Sequence, residues 1–158
     1  MKENKVYIGI DPDVDKSGVA YYDSKTKFLQ MTNQSFFNLY EYLKVMKDNL
    51  KGENIIVVIE AGWENKKPNF RQSYFDKKLK KYIAYTESVK EKMASKTGRN
   101  EETGKKIVEM CEYLDLQYLL VKPTTSKIKS DAFIKITGVV GRTNQEQRDA
   151  AMLVFGRK

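Results

Sequence analysis

Val6-Tyr7-Ile8-Gly9-Ile10-Asp11-Pro12 is an apolar run that stops on a carboxylate. Residues of this kind ahead of an Asp-Pro turn read as a short buried strand. An acid at the end of such a strand costs free energy unless something pairs with it. The arrangement recurs in Ile55-Ile56-Val57-Val58-Ile59-Glu60, whose apolar residues fall on both faces and so place it centrally in a sheet. Glu146 and Asp149 stand three residues apart in the last helical pattern, on one helix face. Two strand-end acids and an acidic helix pair imply one shared partner, for which a divalent cation is the simplest choice, and phosphoryl transfer is the chemistry that follows. Taken singly, each acid has a plainer reading. Asp11 could start a turn, Glu60 could end an exposed strand, and Glu146 could serve a helix N-terminus.

Composition narrows the partner. The chain of 158 residues has no histidine, and Cys111 is its single cysteine. Ser-His and Cys-His catalysis, imidazole and thiolate metal sites and an intrachain disulfide are excluded. What remains for a metal is oxygen, which suits Mg2+ or Mn2+. One cysteine fits a reducing cytosol. No apolar run approaches the ~20 residues of a membrane span, and Met1-Lys2-Glu3-Asn4-Lys5 leads into a strand rather than a signal peptide. The length suits one soluble domain, residues 1–158, with a real core.

The net charge of +8 is concentrated: residues 65–106 hold 13 Lys/Arg against 5 Asp/Glu, and the rest holds 16 of each. A confined excess favours a polyanion, here nucleic acid, over a merely solvated lysine-rich helix.

Periodicity predicts strands over 6–10, 18–23, 28–32, 55–60 and 118–121, the first three forming an antiparallel meander. A helix on Phe36, Phe37, Tyr40 and Leu43 runs to about Asn49. After a loop over 62–68, a long basic helix is expected over 69–93, broken at Gly98-Arg99-Asn100-Glu101. A second helix follows with Ile107, Met110, Cys111 and Leu114 on one face, which is core or a dimer seam. Further helices are expected over 125–136, with Ile128, Phe133 and Ile136 inward, and over 144–155. The fold class is α/β: a five-stranded mixed sheet flanked by helices.

Ile8-Gly9-Ile10-Asp11-Pro12 followed by Gly18-Val19-Ala20, then Ile59-Glu60, then Glu146-x-x-Asp149-Ala150-Ala151, resembles the ordered motifs of RuvC-type Holliday junction resolvases, in the compact bacteriophage branch. The resemblance implies a ribonuclease H-like fold, a homodimer and two Mg2+ per active site held by Asp11, Glu60, Glu146 and Asp149. It also implies paired cuts across branched double-stranded DNA, in a bacterial or phage-infected cytosol. The family has Gly where Asp13 stands; Asp13 and Asp15 read as turn residues. Some relatives have His in place of Glu146. The competing activities are a ribonuclease H acting on RNA–DNA hybrids and a non-catalytic DNA-binding protein.

Trp63 follows Glu60 closely; the resemblance places a junction-stacking aromatic there, and a half-buried core residue is the alternative. Lys127 is the candidate for a catalytic contact to the scissile phosphate, implied by lysines in that region of the relatives. Lys66, Lys67, Arg71, Lys77, Lys78, Lys80, Lys81 and Arg99 of the basic segment are candidate DNA contacts, with Lys122, Lys129 and Arg142 further on. Lys135 is a weaker candidate, and Arg148 could bind phosphate or pair with Glu146 or Asp149.

Overall fold

Alternation along the first and fourth strands decides where the site is. The computed structural model describes residues 4–50, 54–65 and 72–158. Its elements are β1 (Lys5–Asp11), β2 (Ser17–Asp23), β3 (Leu29–Gln34), α1 (Phe36–Asn49), β4 (Asn54–Glu60), β5 (Ser73–Asp76), β6 (Lys81–Ala84), α2 (Glu87–Tyr113), β7 (Gln117–Val121), α3 (Ser130–Thr137) and α4 (Gln145–Val154). The main sheet has the order β3-β2-β1-β4-β7, antiparallel over β3, β2 and β1 and parallel from β1 through β4 to β7. This is the mixed five-stranded sheet expected, its first three strands antiparallel and helices flanking it.

Side chains on a strand point alternately to its two faces. Val6, Ile8 and Ile10 of β1, with Val57 and Ile59 of β4, face α1 and α2 and close a core with Leu39, Leu43, Ile107, Met110 and Cys111. Tyr7 and Val58 point the opposite way, with Ala20 and Tyr22, toward Phe133 of α3 and Ala150, Ala151 and Val154 of α4. By the same alternation Gly9, Asp11 and Glu60 belong to the α4 face. The face of α2 carrying Ile107 is core. Among the described residues no helix is long and apolar enough to cross a membrane.

Several expectations are corrected. The described part of 69–93 begins as a hairpin of β5 and β6, not as a helix. Tyr74, Phe75, Tyr82 and Ile83 favour strands, and the Asp76 carboxylate accepts the amides of Lys78 and Leu79 to build the turn. α2 then runs unbroken from its Thr86 cap through Gly98. In the helix 125–136 only Ser130–Thr137 is helical, because Gln145 Nε2 and Arg148 Nε of α4 both hold the Ile128 carbonyl in the segment before it. Phe133 is buried as expected, but Ile136 is 52% exposed. In α1 the buried residues are Leu39 and Leu43, while Phe37 is 81% exposed.

Nothing stands within 4 Å of a Cβ placed on Gly98. Gly98→Ala therefore removes a helix-interior glycine at no steric cost. It is expected to add about 0.5–1 kcal/mol, read as a melting temperature higher by about 1–4 °C.

Candidate active site

β1 and β4 pair in parallel with Ile10 beside Ile59. The next residues, Asp11 and Glu60, are thus neighbours where both strands end, on the α4 face. α4 lies directly against β1 and β2 because two glycines admit it. A Cβ on Gly9 would stand 2.2 Å from the Ala150 carbonyl oxygen, and one on Gly18 2.1 Å from that of Glu146. Asn144 starts the helix: its side chain accepts the Gln147 amide, and the Gln147 side chain accepts the Asn144 N–H. Asn144 Nδ2 also donates to Asn33 Oδ1 at 2.7 Å, tying the helix start to β3. The helix so seated brings Asp149 to Asp11 and Glu60.

Asp11 is 9% exposed. Burial, and then the charge of Glu60, push its carboxyl up to about 8; a hydrogen bond with Glu60 and the charge of Asp149 add to the shift, and Lys127 opposes it. Lys127, between β7 and α3, donates from Nζ to Asp149 Oδ2. Burial alone would lower its ammonium, but the bond to Asp149 and the charges of Asp11 and Glu60 outweigh that and hold it above the ordinary lysine value. Gln145 Nε2 occupies the other Asp149 oxygen at 2.8 Å. One ammonium thus faces three carboxylates, two of them on strand ends and one on α4.

These groups open onto a cleft of about 350 Å³, lined also by Glu146, Asp13 and Trp63 and walled by Lys96, Thr97 and Asn100 of α2. Asn100 clamps the turn after β1. It donates to Asp13 Oδ2 at 3.2 Å and accepts the Val14 amide at 2.9 Å. Lys96 lies 3.6 Å from Asp13, and the Asp15 amide donates to its second oxygen. Burial alone would raise the Asp13 carboxyl; the Asp15 amide, Lys96 and Asn100 bring it below the ordinary range. Trp63 is half-buried, and a Cβ on Gly104 of α2 would meet its ring at 2.3 Å, so the indole packs on the helix at the cleft wall.

Asp11, Glu60, Asp149 and Lys127 are the sequence candidates brought together, and Glu146 lines the same cleft. Lys122 lines an adjoining hollow of about 340 Å³ that also reaches Glu60 and Asp149. Lys77, Lys78, Lys80 and Lys81 are exposed on the hairpin, Arg99 on α2, Lys129 at the start of α3, Lys135 on α3 and Arg142 before α4. Lys66, Lys67 and Arg71 lie outside the described residues. Arg148 ties the loop before α4 together, donating to the Thr143 carbonyl at 2.7 Å and to Gln145 Oε1 at 2.9 Å.

Several contributors carry little or no signal in the sequence. Gly9 and Gly18 act as the seat of α4, a role that glycine inside a strand can signal. Gln145 and Asn100 carry no sequence signal of their own. The hairpin adds Phe75 and Tyr82, 51% and 74% exposed with ring centroids 5.3 Å apart.

An all-oxygen donor set with surplus negative charge in a half-closed pocket suits a hard divalent cation. As the side chains stand, no group of three or more acids among the described residues has a geometry that could hold an ion, and Lys127 Nζ is bonded to Asp149.

No family model matches the chain, and no curated protein matches it. Among solved structures it is similar to the Thermus thermophilus RuvC in complex with Holliday junction substrate, with 9% identity and a TM-score of 0.48, over 94% of this chain and 89% of that one.

Proposed function

We propose that the chain is a metal-dependent endonuclease of branched DNA, resolving four-way junctions by paired incisions. The observation that carries this reading is the gathering of Asp11, Glu60, Asp149 and Lys127 in one cleft. That cleft is walled by α2, and the β5–β6 hairpin ahead of it carries Lys77, Lys78, Lys80 and Lys81 against the single acid Asp76. Complete acids speak for catalysis over a purely architectural DNA-binding role.

Asp11, Glu60, Asp149 and Glu146 are the residues that would hold Mg2+ or Mn2+, two per site, supplying positive charge to a phosphate and a more acidic water. The chain's own part is to fix the phosphate in the cleft while water adds at phosphorus and the bond to the leaving oxygen breaks. Lys127 is placed to meet a non-bridging phosphate oxygen there. Trp63, Phe75 and Tyr82 offer π-faces to bases left unpaired at a branch point. Lys77, Lys78, Lys80, Lys81 and Arg99, with Lys122, Lys129 and Arg142, hold duplex arms through their phosphates, which orients the DNA without reading sequence. A two-fold homodimer would present two such sites to two equivalent strands of a junction.

A ribonuclease H would share the acids, so substrate choice is the test. With Mg2+, a synthetic four-way junction is expected to be cut much faster than a linear duplex or an RNA–DNA hybrid. Preferential cutting of the hybrid would move the assignment to the ribonuclease reading.

Replacing Lys77, Lys78, Lys80 and Lys81 by alanine leaves the sheet and the acids untouched. Junction binding is expected to weaken, and the slope of log K against log salt to become shallower by about 2 to 4, at ~0.9 for each phosphate no longer neutralised. An unchanged slope in titrations across salt concentrations would remove the hairpin from the interface.

A further inference from the structure

The cluster holds a feature that the nuclease reading does not itself require. Its one cation belongs to the chain. Lys127 Nζ is bonded to Asp149 Oδ2, and Asp11 and Glu60 line the same cleft. The Asp149 side chain is 9% exposed, whereas that of Lys127 is 53% exposed, so the carboxylate is fixed and the lysine is the mobile partner. Gln145 holds the remaining Asp149 oxygen from the helix side. Lys127 lies on an irregular segment between β7 and α3, anchored one residue later through the Ile128 carbonyl. The side chain can therefore swing toward solvent without disturbing β7 or α4.

We propose that Lys127 is an internal placeholder for the metal: in the metal-free protein its ammonium is paired with Asp149 beside Asp11 and Glu60, and a divalent cation enters by displacing it from Asp149. This rests on the nuclease reading for the identity of the incoming ion class, and it goes beyond that reading in giving Lys127 two positions. Carboxylates gathered this closely repel one another when ionised. A resident ammonium keeps them compatible with the fold until a doubly charged ion takes over. Freed from Asp149, the same ammonium is available to a phosphate in the cleft. Metal entry and the lysine–phosphate contact are then two ends of one exchange.

The test uses Mn2+ and no DNA. Lys127→Met keeps the length of the side chain and removes its charge. Calorimetric titration at neutral pH is expected to give this variant a Kd for Mn2+ lower than wild type by about tenfold or more, the effect of losing one strong competing bond. Its melting temperature in chelator should fall below wild type, and saturating Mn2+ should close that gap. Equal or weaker Mn2+ binding by a folded Lys127→Met protein overturns the proposal, as does a lack of Mn2+ binding by both proteins. Wild type supplies an independent reading should the variant not fold. Acetylation of Lys127 at limiting reagent, followed by mass spectrometry, is expected to rise several-fold in saturating Mn2+; an unchanged rate overturns the exchange. A protein that shows the exchange but cuts no branched DNA retires the nuclease reading alone. A junction nuclease whose Lys127→Met form binds Mn2+ no more tightly retires the placeholder alone.

Discussion

Asp11→Asn is expected to stabilise the metal-free protein while abolishing cleavage. The carboxyl is 9% exposed, next to Glu60 and near Asp149, and is pushed up to about 8 by burial first and these charges second. In the unfolded chain it titrates at its ordinary value of 3.8. Between those two values the folded protein holds a proton that the unfolded chain releases. Stability from this group is therefore fully present in acid, declines as pH rises from about 4, and levels off above about 8. Asparagine keeps the shape and cannot titrate. Its advantage over wild type, measured in chelator, should be small near pH 4 and grow to several kcal/mol by pH 8, a melting temperature higher by more than about 4 °C. With Mg2+ and a junction substrate the same change removes one of the carboxylates proposed to hold the ions, and cutting should fall by on the order of 10³-fold. Thermal melts across pH with and without Mg2+, beside a cleavage time course, read both effects. A metal-free variant no more stable than wild type at pH 8 would mean that Asp11 carries no buried-charge penalty.

The second large effect comes from a residue with no polar side chain. Gly9→Ala would place a methyl 2.2 Å from the Ala150 carbonyl oxygen, a backbone atom inside a helix that cannot step aside singly. Either α4 lifts from β1 or β1 bends, at a cost of about 3 kcal/mol, seen as a melting temperature lower by about 6–12 °C. Because α4 carries Asp149 and Glu146, the residual folded protein should also cut poorly even with every acid present. Chemical denaturation and a cleavage assay on one preparation would show this, and a variant with wild-type stability would contradict the close seating of α4.

Much of this site is legible from residues alone, for local reasons. Val6–Ile10 reads as a buried strand and Ile55–Ile59, apolar on both faces, as a central one, and an acid ending each stands at the same edge if the two strands run parallel. The i, i+3 spacing put Glu146 and Asp149 on one helix face. Less legible was everything set by tertiary contact. Asp23-Ser24-Lys25-Thr26-Lys27 and Asp76-Lys77-Lys78-Leu79-Lys80 form the same turn, with Asp accepting the two amides ahead and a lysine at φ 63 or 49 closing it. The first reads as a turn because strands flank it. The second, rich in lysine, passes for a helix although Tyr74, Phe75, Tyr82 and Ile83 are strand formers. Gly98 signals a break by propensity, yet Asn100 bonding to Asp13 and Val14 carries α2 past it. Lys127 suits a phosphate contact on sequence position; its pairing with Asp149 depends on where α4 lands, which only Gly9 and Gly18 announce.

The central claim is that these carboxylates cut branched DNA in a paired manner, and mapped incision tests it most directly. Each strand of a fixed four-way junction, end-labelled in turn, is incubated with the protein and Mg2+ and resolved at single-nucleotide length. The account predicts incisions at symmetric positions in two opposite strands, absent with Asp11→Asn. Cuts scattered over all four arms, or equal cutting of a linear duplex of the same sequence, would contradict it.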